Sequence, residues 1–177
     1  KVTNVNFGKW ADLGTGSGPI AISLAKSLPN WNGYAADISN EALSLAKKNL
    51  KSIVPHANVK FVLGDWWKPL KRWWGSFDLV LSNPPYIPSD LIKELDPVVK
   101  DHEPLVALDG GKDGMNPARQ IISGALIGLS KGGWLILEHH YDQSEQIIDL
   151  MKKTGMIEVS SEKDLSGIRR YAICRKS

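Results

Sequence analysis

The four residues Asn83-Pro84-Pro85-Tyr86 have the groups needed to hold a planar NH2 group and turn its nitrogen toward an electrophile. An amide nitrogen is a poor nucleophile because its lone pair is delocalised into the carbonyl group. If the Asn83 side-chain oxygen and the Pro84 backbone carbonyl accept hydrogen bonds from the two N–H groups, the nitrogen is held in place. Its lone pair can then turn toward the electrophile. Both prolines fix φ, so these acceptors are ordered before the reaction.

Tyr86 can stack on the same planar group. We therefore assign Asn83, Pro84 and Tyr86 as catalytic residues, and Asn83, Pro84, Pro85 and Tyr86 as substrate-binding residues. An electrophile that carries its own leaving group needs no strong general base, since in-line proximity supplies most of the acceleration. The structural alternative is a proline-rich turn at the end of a strand. The tetrapeptide predicts group transfer to an amide or amino nitrogen.

A glycine-rich turn, Asp12-Leu13-Gly14-Thr15-Gly16-Ser17-Gly18, follows a predicted strand and opens a predicted helix. Glycines let the backbone approach a ligand, and the helix N-terminus directs free N–H groups at it. The G-x-G-x-G spacing, with an Asp two residues ahead, differs from the G-x-G-x-x-G of dinucleotide binders. A carboxylate suits a cationic ligand and repels pyrophosphate. The turn predicts a cofactor site formed by Asp12, Gly14, Thr15, Gly16, Ser17 and Gly18, and the alternative is a tight turn with an N-cap Asp.

Acidic residues follow the next two predicted strands. Asp37 ends the second strand, where it is placed to accept both hydroxyl groups of a ribose. Asp65 and Trp66 end the third strand, where the carboxylate can accept a bond from an adenine amino group and the indole can lie against the ring. These residues extend the predicted cofactor site, to which Asn83 also belongs.

Three further tryptophans, Trp67, Trp73 and Trp74, follow Trp66 closely. We favour a structural role for these three, as cover for the edge of the sheet. The basic residues Lys68, Lys71 and Arg72 lie among them. A basic and aromatic mixture of this kind is typical of surfaces that bind single-stranded nucleic acid, so a nucleic-acid substrate stays open.

Strands and helices alternate along the chain. Hydrophobic periodicity predicts strands at residues 8–13, up to 37, 59–63, 77–81, 134–138, 157–160 and 171–174, and helices at 19–28, 39 or 40 to 53, 117–129 and 143–153. This order predicts a mostly parallel sheet with helices on both faces and an antiparallel hairpin at one edge. Ligands bind such sheets at the carboxyl ends of the strands. Residues 83–115 have little periodicity and read as a functional loop.

The bulk composition is that of one globular domain. The 177 residues are 42% hydrophobic and 23% charged. A net charge of +3 is too small to argue for nucleic acid. The single cysteine, Cys174, excludes a disulfide within the chain, and no apolar run approaches the roughly 20 residues needed to cross a bilayer. The four histidines lack metal-ligand spacing, so we expect no metal.

Together these motifs resemble the class I S-adenosylmethionine-dependent methyltransferases, in their amino-methylating branch. More specifically, the chain resembles the protein-glutamine methyltransferases that modify the Gly-Gly-Gln motif of peptide chain release factors. The closer resemblance rests on Glu103-Pro104-Leu105-Val106-Ala107-Leu108, Gly110-Gly111-Lys112-Asp113-Gly114, Leu137-Glu138-His139 with Gln143, and Lys163-Asp164-Leu165 through Arg169 to Arg175. It runs almost from end to end.

The resemblance implies a Rossmann-like three-layer sandwich with a seven-stranded sheet. It implies S-adenosylmethionine as the cofactor, S-adenosylhomocysteine as the product, and release factors as the partners. By the resemblance, Gly14 to Gly18, Asp37, Trp66 and Asn83 bind the cofactor, and Asn83 to Tyr86 hold the glutamine. The alternatives are methylation of an exocyclic amine of adenine or guanine in RNA or DNA, and a binding module that keeps the fold without catalysis.

Two features depart from the family pattern. His140 stands where the family commonly has glycine, and the helical domain that the family places before the first strand is absent from this chain, so residues 1–177 are expected to be the catalytic domain alone. Glu138 ends a strand near the crevice, where it either supports the loop or is an ordinary buried carboxylate. We expect a monomer without membrane contact, in the cytoplasm or in an organelle if a transit peptide was removed.

Overall fold

The computed structural model describes residues 6–94 and 104–177. Glu103 and His102, together with part of the predicted functional loop, lie outside these residues. The described strands are β1 (Lys9–Leu13), β2 (Asn32–Asp37), β3 (Val59–Leu63), β4 (Phe77–Ser82), β5 (Leu129–Glu138), β6 (Ile157–Lys163) and β7 (Arg169–Arg175). The described α-helices are α1 (Pro19–Ser27), α2 (Asn40–Ile53), α3 (Leu105–Leu108), α4 (Asn116–Gly128) and α5 (Ser144–Lys153), with 3-10 turns at Lys68–Trp73, Ser89–Glu94 and Tyr141–Gln143.

The described strands form one seven-stranded sheet in the order β3-β2-β1-β4-β5-β7-β6. β1 to β5 are parallel to their neighbours, whereas β7 is antiparallel to both β5 and β6. The strand order reverses between β1 and β4, so the carboxyl ends of these two strands mark the topological switch point. The predicted mostly parallel sheet with an antiparallel C-terminal hairpin is confirmed.

Helices cover both faces of the sheet, because the two central strands are apolar on both sides. Trp10 and Leu79 point to one face, where they join a buried cluster with residues of α1 and α2. Ala11 and Val80 point to the other face, in a cluster with residues of α4 and α5. Successive strand residues face opposite sides of a sheet. The two clusters hold β1 and β4 rigidly beneath the crevice at their carboxyl ends.

Trp67 and Trp73 pack on a face of the sheet rather than along its edge. Trp67 is 5% exposed, and its Nε1 donates to the Ile121 carbonyl at 2.9 Å. A Cβ atom at Gly124 would lie 2.1 Å from the Trp67 ring, so the glycine allows α4 to approach the indole. Trp73 contacts Tyr34 of β2 with ring centroids 4.7 Å apart. Trp67 is therefore part of the core, and the half-buried Trp73 packs against it.

Several element boundaries differ from the sequence prediction, most of all the start of β5. β5 begins at Leu129 rather than near residue 134, since it contains an irregularity where Gly132 has φ 77°. The Gly132-Gly133 pair is typical of a turn, which hides the first part of the strand. The fifth helix is preceded by the 3-10 turn Tyr141–Gln143. Across residues 6–94 and 104–177, no helix has the length and apolar character needed to span a membrane.

Candidate active site

Two cavities meet at the carboxyl ends of β1 and β4. The first, of about 430 Å³, is bounded by Asp37, Asp65 and Trp66. The second, of about 640 Å³, is bounded by Pro84, Tyr86 and Glu138. Both cavities share the following lining residues: Gly14, Gly16, Asn83, Pro85 and Ala107. The glycine turn and the loop after β4 thus form the common wall, which brings together the two motifs that the sequence singled out.

The glycine turn is fixed by bonds to the neighbouring strand. The N–H groups of Gly14 and Thr15 donate to the Ala36 carbonyl at 2.9 and 3.0 Å. The Gly16 N–H donates to Asp37 Oδ2 at 2.8 Å, and the other Asp37 oxygen accepts the Ser39 N–H at 2.9 Å. Gly14, Gly16 and Gly18 all have positive φ, which favours glycine. A Cβ at Gly16 would meet nothing within 4 Å, because this residue faces the open crevice.

Asp12 lies beneath the turn and is fully buried. Its Oδ2 accepts the Thr15 hydroxyl at 2.6 Å and the Ala21 N–H at 3.1 Å, while Oδ1 has no hydrogen-bond partner among the residues described. Burial raises the pKa of this carboxyl to about 7, and the two hydrogen bonds only partly offset that effect. Asp12 is absent from both cavity linings. Its contacts brace the turn, which is the structural alternative that the sequence left open beside direct cofactor contact.

Trp66 and Asp65 stand on the opposite side of the first cavity. Trp66 has φ 46°, a conformation that a bulky residue rarely adopts, and its ring lies 3.0 Å from the position that a Cβ at Gly14 would take. Strain of this kind concentrates where function requires a fixed side chain. Asp65 forms an ion pair with Lys68, with Oδ2 and Nζ 2.6 Å apart. The Trp66 indole is thus held over the glycine turn, whereas the Asp65 carboxylate is already paired with Lys68.

The first cavity has the chemistry to hold S-adenosylmethionine. The glycine turn leaves an open backbone surface at Gly16, Asp37 offers carboxylate oxygens on the cavity wall, and Trp66 offers a ring face. Asp12, whose Oδ1 has no hydrogen-bond partner among the residues described, lies beneath the glycine turn. A cationic ligand on that turn would favour the ionised form of this carboxyl. A cationic nucleoside ligand fits this set of groups.

The loop after β4 is anchored at its start. The Ser82 hydroxyl donates to the Leu13 carbonyl at 2.6 Å and joins the ends of β4 and β1. Asn83, the next residue, is exposed, and its side chain makes no hydrogen bond to any residue of the described ranges. Pro84 is buried, whereas Pro85 and Tyr86 are half-buried. The Asn83 oxygen is therefore available as an acceptor at the point where the two cavities meet.

Segments far along the chain support this loop. The Ile87 N–H donates to the Leu108 carbonyl at 3.1 Å, and the Gly110 N–H donates back to the Ile87 carbonyl at 2.8 Å. The Gln143 side chain donates to the Tyr86 carbonyl at 3.0 Å. Glu138 lines the second cavity, and its partial burial raises the pKa of its carboxyl. Parts of the segments that carried the closer family resemblance, at Leu108, Gly110 and Gln143, thus bond the loop after β4.

Some lining residues were not singled out by sequence reasoning. They are Ile38, Val106, Ala107, Asp109, Gly111, Asn116, Pro117 and Gln120 of the first cavity. Four of these eight residues belong to α3 or to the segment between α3 and α4, which in the sequence served only as family markers or as loop, and three more lie in the first turns of α4. The Gly110-Gly111 pair was the available signal, since adjacent glycines often mark a close approach of backbone to a ligand.

Two of the basic residues near the tryptophans, Lys71 and Arg72, already lie over indole rings. The Arg72 guanidinium lies 4.9 Å from the Trp73 ring centroid, and Lys71 lies 5.9 Å from that of Trp74. Trp73 and Trp74 line neither of the two crevice cavities. Contacts of this type occupy the ring faces that a base would need for stacking. Within the described ranges, no group of three or more His, Cys, Asp or Glu side chains is arranged to bind a metal ion.

A family model and individual relatives both identify the chain as similar to methyltransferases. Residues 1–95 match the family model described as "Methyltransferase small domain". Proteins named release factor glutamine methyltransferase are similar to the chain: 57% identical over 169 residues in Prochlorococcus marinus and 40% over 168 residues in Coxiella burnetii. These alignments cover 96% and 94% of the chain and 58% of each relative. The chain therefore spans a little over half the length of these relatives.

Solved methyltransferase structures share the fold. A methyltransferase from Pyrococcus furiosus is 21% identical, with a TM-score of 0.68 over 98% of this chain and 78% of that one. The catalytic domain of hMettl16, solved in complex with an RNA hairpin, is 17% identical, with a TM-score of 0.71 over 96% of this chain and 64% of that one. Identities this low establish the fold alone. It is the class I methyltransferase fold, and fold and family together imply S-adenosylmethionine as methyl donor.

Proposed function

Since this chain belongs to the methyltransferase small domain family, we propose that it methylates the side-chain amide nitrogen of a glutamine in peptide chain release factors. One observation carries the proposal: Asn83 and Pro85 line both the first and the second cavity. A donor in the first cavity and an acceptor nitrogen in the second would meet at Asn83. The names of the similar proteins in Prochlorococcus marinus and Coxiella burnetii support the choice of acceptor.

The first cavity would hold the cofactor. Asp37 would accept bonds from the ribose hydroxyls, Trp66 would lie on the adenine, and the glycine turn would follow the backbone of the ligand. When bound, S-adenosylmethionine would supply a methyl group on a positively charged sulfur; transfer would leave the neutral thioether S-adenosylhomocysteine, and the methylated nitrogen would release one proton. The residues of this cavity bind and orient, and none is required to act as a nucleophile.

The second cavity would orient the glutamine. The Asn83 side-chain oxygen and the Pro84 carbonyl would accept hydrogen bonds from the two N–H groups of the glutamine amide. These bonds would hold the nitrogen so that its lone pair is less delocalised and is directed toward the first cavity. Pro84 and Pro85 restrict the backbone, so the acceptors need little reorganisation when the substrate binds. Tyr86, in the same wall, would cover one face of the planar amide.

Peptide chain release factors are the proposed partners, and the glutamine of their Gly-Gly-Gln motif is the proposed target. The test is transfer of labelled methyl from S-adenosylmethionine, with three substrates in parallel: a release factor, the same factor with that glutamine replaced by alanine, and bulk RNA. We expect label in the intact factor alone. Equal label in the alanine variant would refute the glutamine as target, and label in RNA alone would support the exocyclic-amine alternative.

A catalytic variant completes this experiment. Asn83→Ala should abolish most of the transfer to the release factor, because it removes one acceptor for the amide N–H bonds. Asn58→Ala is the matched control, since Asn58 bonds Asn32 through its side chain, just before β3 and away from the carboxyl ends of the strands. Equal transfer by Asn83→Ala and wild type would argue against the proposed orientation of the glutamine.

A further inference from the structure

The Gln143 side chain joins three separate segments of backbone. It is 6% exposed. Its Oε1 accepts the His140 N–H at 3.1 Å, and its Nε2 donates to the Tyr86 carbonyl at 3.0 Å and to the Gly114 carbonyl at 3.2 Å. Both N–H groups of the amide and its oxygen are therefore in use. These bonds connect the loop after β4, the glycine segment before α4, and the turn before α5.

The backbone of Gly114 lies too close to this amide for residue 114 to carry a side chain. A Cβ at Gly114 would lie 2.3 Å from the Tyr86 carbonyl oxygen and 2.6 Å from Gln143 Nε2. Gly114 also has φ 73°, which favours glycine. The glycine thus permits the Tyr86 carbonyl and the Gln143 amide to approach each other closely.

The loop after β4 needs such an anchor because of its own composition. Pro84 and Pro85 have no N–H, so this part of the backbone cannot be held by donated bonds as a strand is. The carbonyls of the loop must instead accept bonds from elsewhere. The described bond to the Tyr86 carbonyl comes from Gln143, and it lies two residues beyond the Pro84 carbonyl that is proposed to accept a substrate N–H.

We propose that Gln143 is a positioning residue for methyl transfer: by holding the Tyr86 carbonyl, it fixes the Pro84 carbonyl and the Asn83 side chain where they accept the substrate amide. It acts through Tyr86 and does not touch the reacting atoms. The inference rests on the proposed function and deepens it. If the role were only to cap the 3-10 turn Tyr141–Gln143, loss of Gln143 would affect stability and not the rate of the folded enzyme.

The test uses two variants of the 177-residue chain. Gln143→Glu keeps the shape and the acceptor for the His140 N–H, but turns a carboxylate oxygen toward two carbonyls. Gln143→Met removes all three bonds at similar size. Gln146→Glu is the matched control, since it makes the same substitution at an exposed position one turn further along α5. Each protein is assayed for kcat and KM with release factor, for the Kd of S-adenosylhomocysteine, and for thermal midpoint.

We expect kcat to fall about tenfold or more in both Gln143 variants, since small displacements of reacting groups are costly. The Kd of S-adenosylhomocysteine should change less than about twofold, because Gln143 does not line the first cavity. Gln146→Glu should match the wild type in all four measurements. If Gln143→Glu does not fold, Gln143→Met carries the same expectation.

Two results would overturn the inference while leaving the proposed function intact: an unchanged kcat in a folded Gln143 variant, or a loss of activity no greater than the loss of folded protein. Wild-type enzyme that fails to methylate the release factor would instead refute the proposed function, and the inference with it. The wild-type rate therefore tests the function, and the ratio of variant to wild-type kcat tests the role of Gln143.

Discussion

The two halves of the crevice are built in different ways. The proposed cofactor half, formed by the glycine turn, Asp37 and Trp66, is supported by Ala36 and Asp37, 21 to 22 residues along the chain, and all of these residues lie within the range that matches the family model. The proposed acceptor half, formed by residues 83–86, is held by Gln143, 57 residues beyond Tyr86, and by the bonds of the adjoining Ile87 to Leu108 and Gly110, and these three supports lie outside that range. The proposed cofactor half is thus held by residues within the range of the family model, whereas the proposed acceptor half depends on segments beyond it.

This comparison predicts that changes in the cofactor half alter binding, and that changes in the acceptor half alter rate. Asp37→Ala and Asn83→Ala test this division directly, whereas Asp12→Asn tests the support of the glycine turn and Arg72→Ala a surface outside both halves. The largest effect is expected for the buried acid beneath the glycine turn.

Asp12 should make the fold less stable as the pH rises. Burial raises the pKa of its carboxyl from 3.8 to about 7, so the stability it contributes is complete below pH 4 and is lost as the pH rises toward 7. The loss amounts to about 4 kcal/mol at most, at about 1.36 kcal/mol per pKa unit. Asp12→Asn should flatten the dependence of the free energy of unfolding on pH between 4 and 7. Denaturant titrations at several pH values measure it, and parallel curves for both proteins would contradict the prediction.

Asp37→Ala should weaken cofactor binding by about 2 to 4 kcal/mol, since it removes charge-assisted bonds to ribose and the acceptor of the Gly16 N–H. Calorimetric titration with S-adenosylmethionine measures the loss. Asp65→Ala is the matched control, because Asp65 lines the same cavity but is paired with Lys68. We expect a smaller loss there. Unchanged affinity in folded Asp37→Ala would remove Asp37 from the site.

Asn83→Ala should lower kcat about 100-fold or more and change cofactor affinity much less, because a preorganised acceptor is lost from the acceptor half. Steady-state kinetics with release factor, together with the Kd of S-adenosylhomocysteine, separate the two effects. Asn83 also lines the first cavity, so this variant is the strictest test of the division. A loss confined to cofactor affinity would assign Asn83 to the cofactor half alone.

The sequence predicted the elements around the glycine turn better than the support of residues 83–86. β3 has the predicted bounds 59–63, β2 ends at Asp37, and Ser39 caps α2 through its hydroxyl, because these signals are local. The support of Tyr86 by Gln143 spans 57 residues and leaves no periodic pattern. α3 has four residues, too few for helical periodicity to be recognised.

The Trp-rich stretch belongs to neither half, and the smallest effect is expected there. Arg72 lies over the Trp73 ring at the protein surface, a contact that contributes about 0.5 to 1 kcal/mol to stability. Arg72→Ala should therefore lower the free energy of unfolding by no more than that and leave the transfer rate to release factor unchanged, since Arg72 lines neither cavity. Urea unfolding and the labelled-methyl assay measure the two quantities.

If the Trp-rich stretch instead binds nucleic acid, Arg72→Ala would reduce methylation of RNA. RNA binding would also depend less on salt concentration, because one phosphate contact is lost. If Arg72→Ala lowers the rate on RNA but not the rate on release factor, this surface binds a second class of substrate. If both rates equal those of the wild type, the role of the surface is restricted to packing on the sheet.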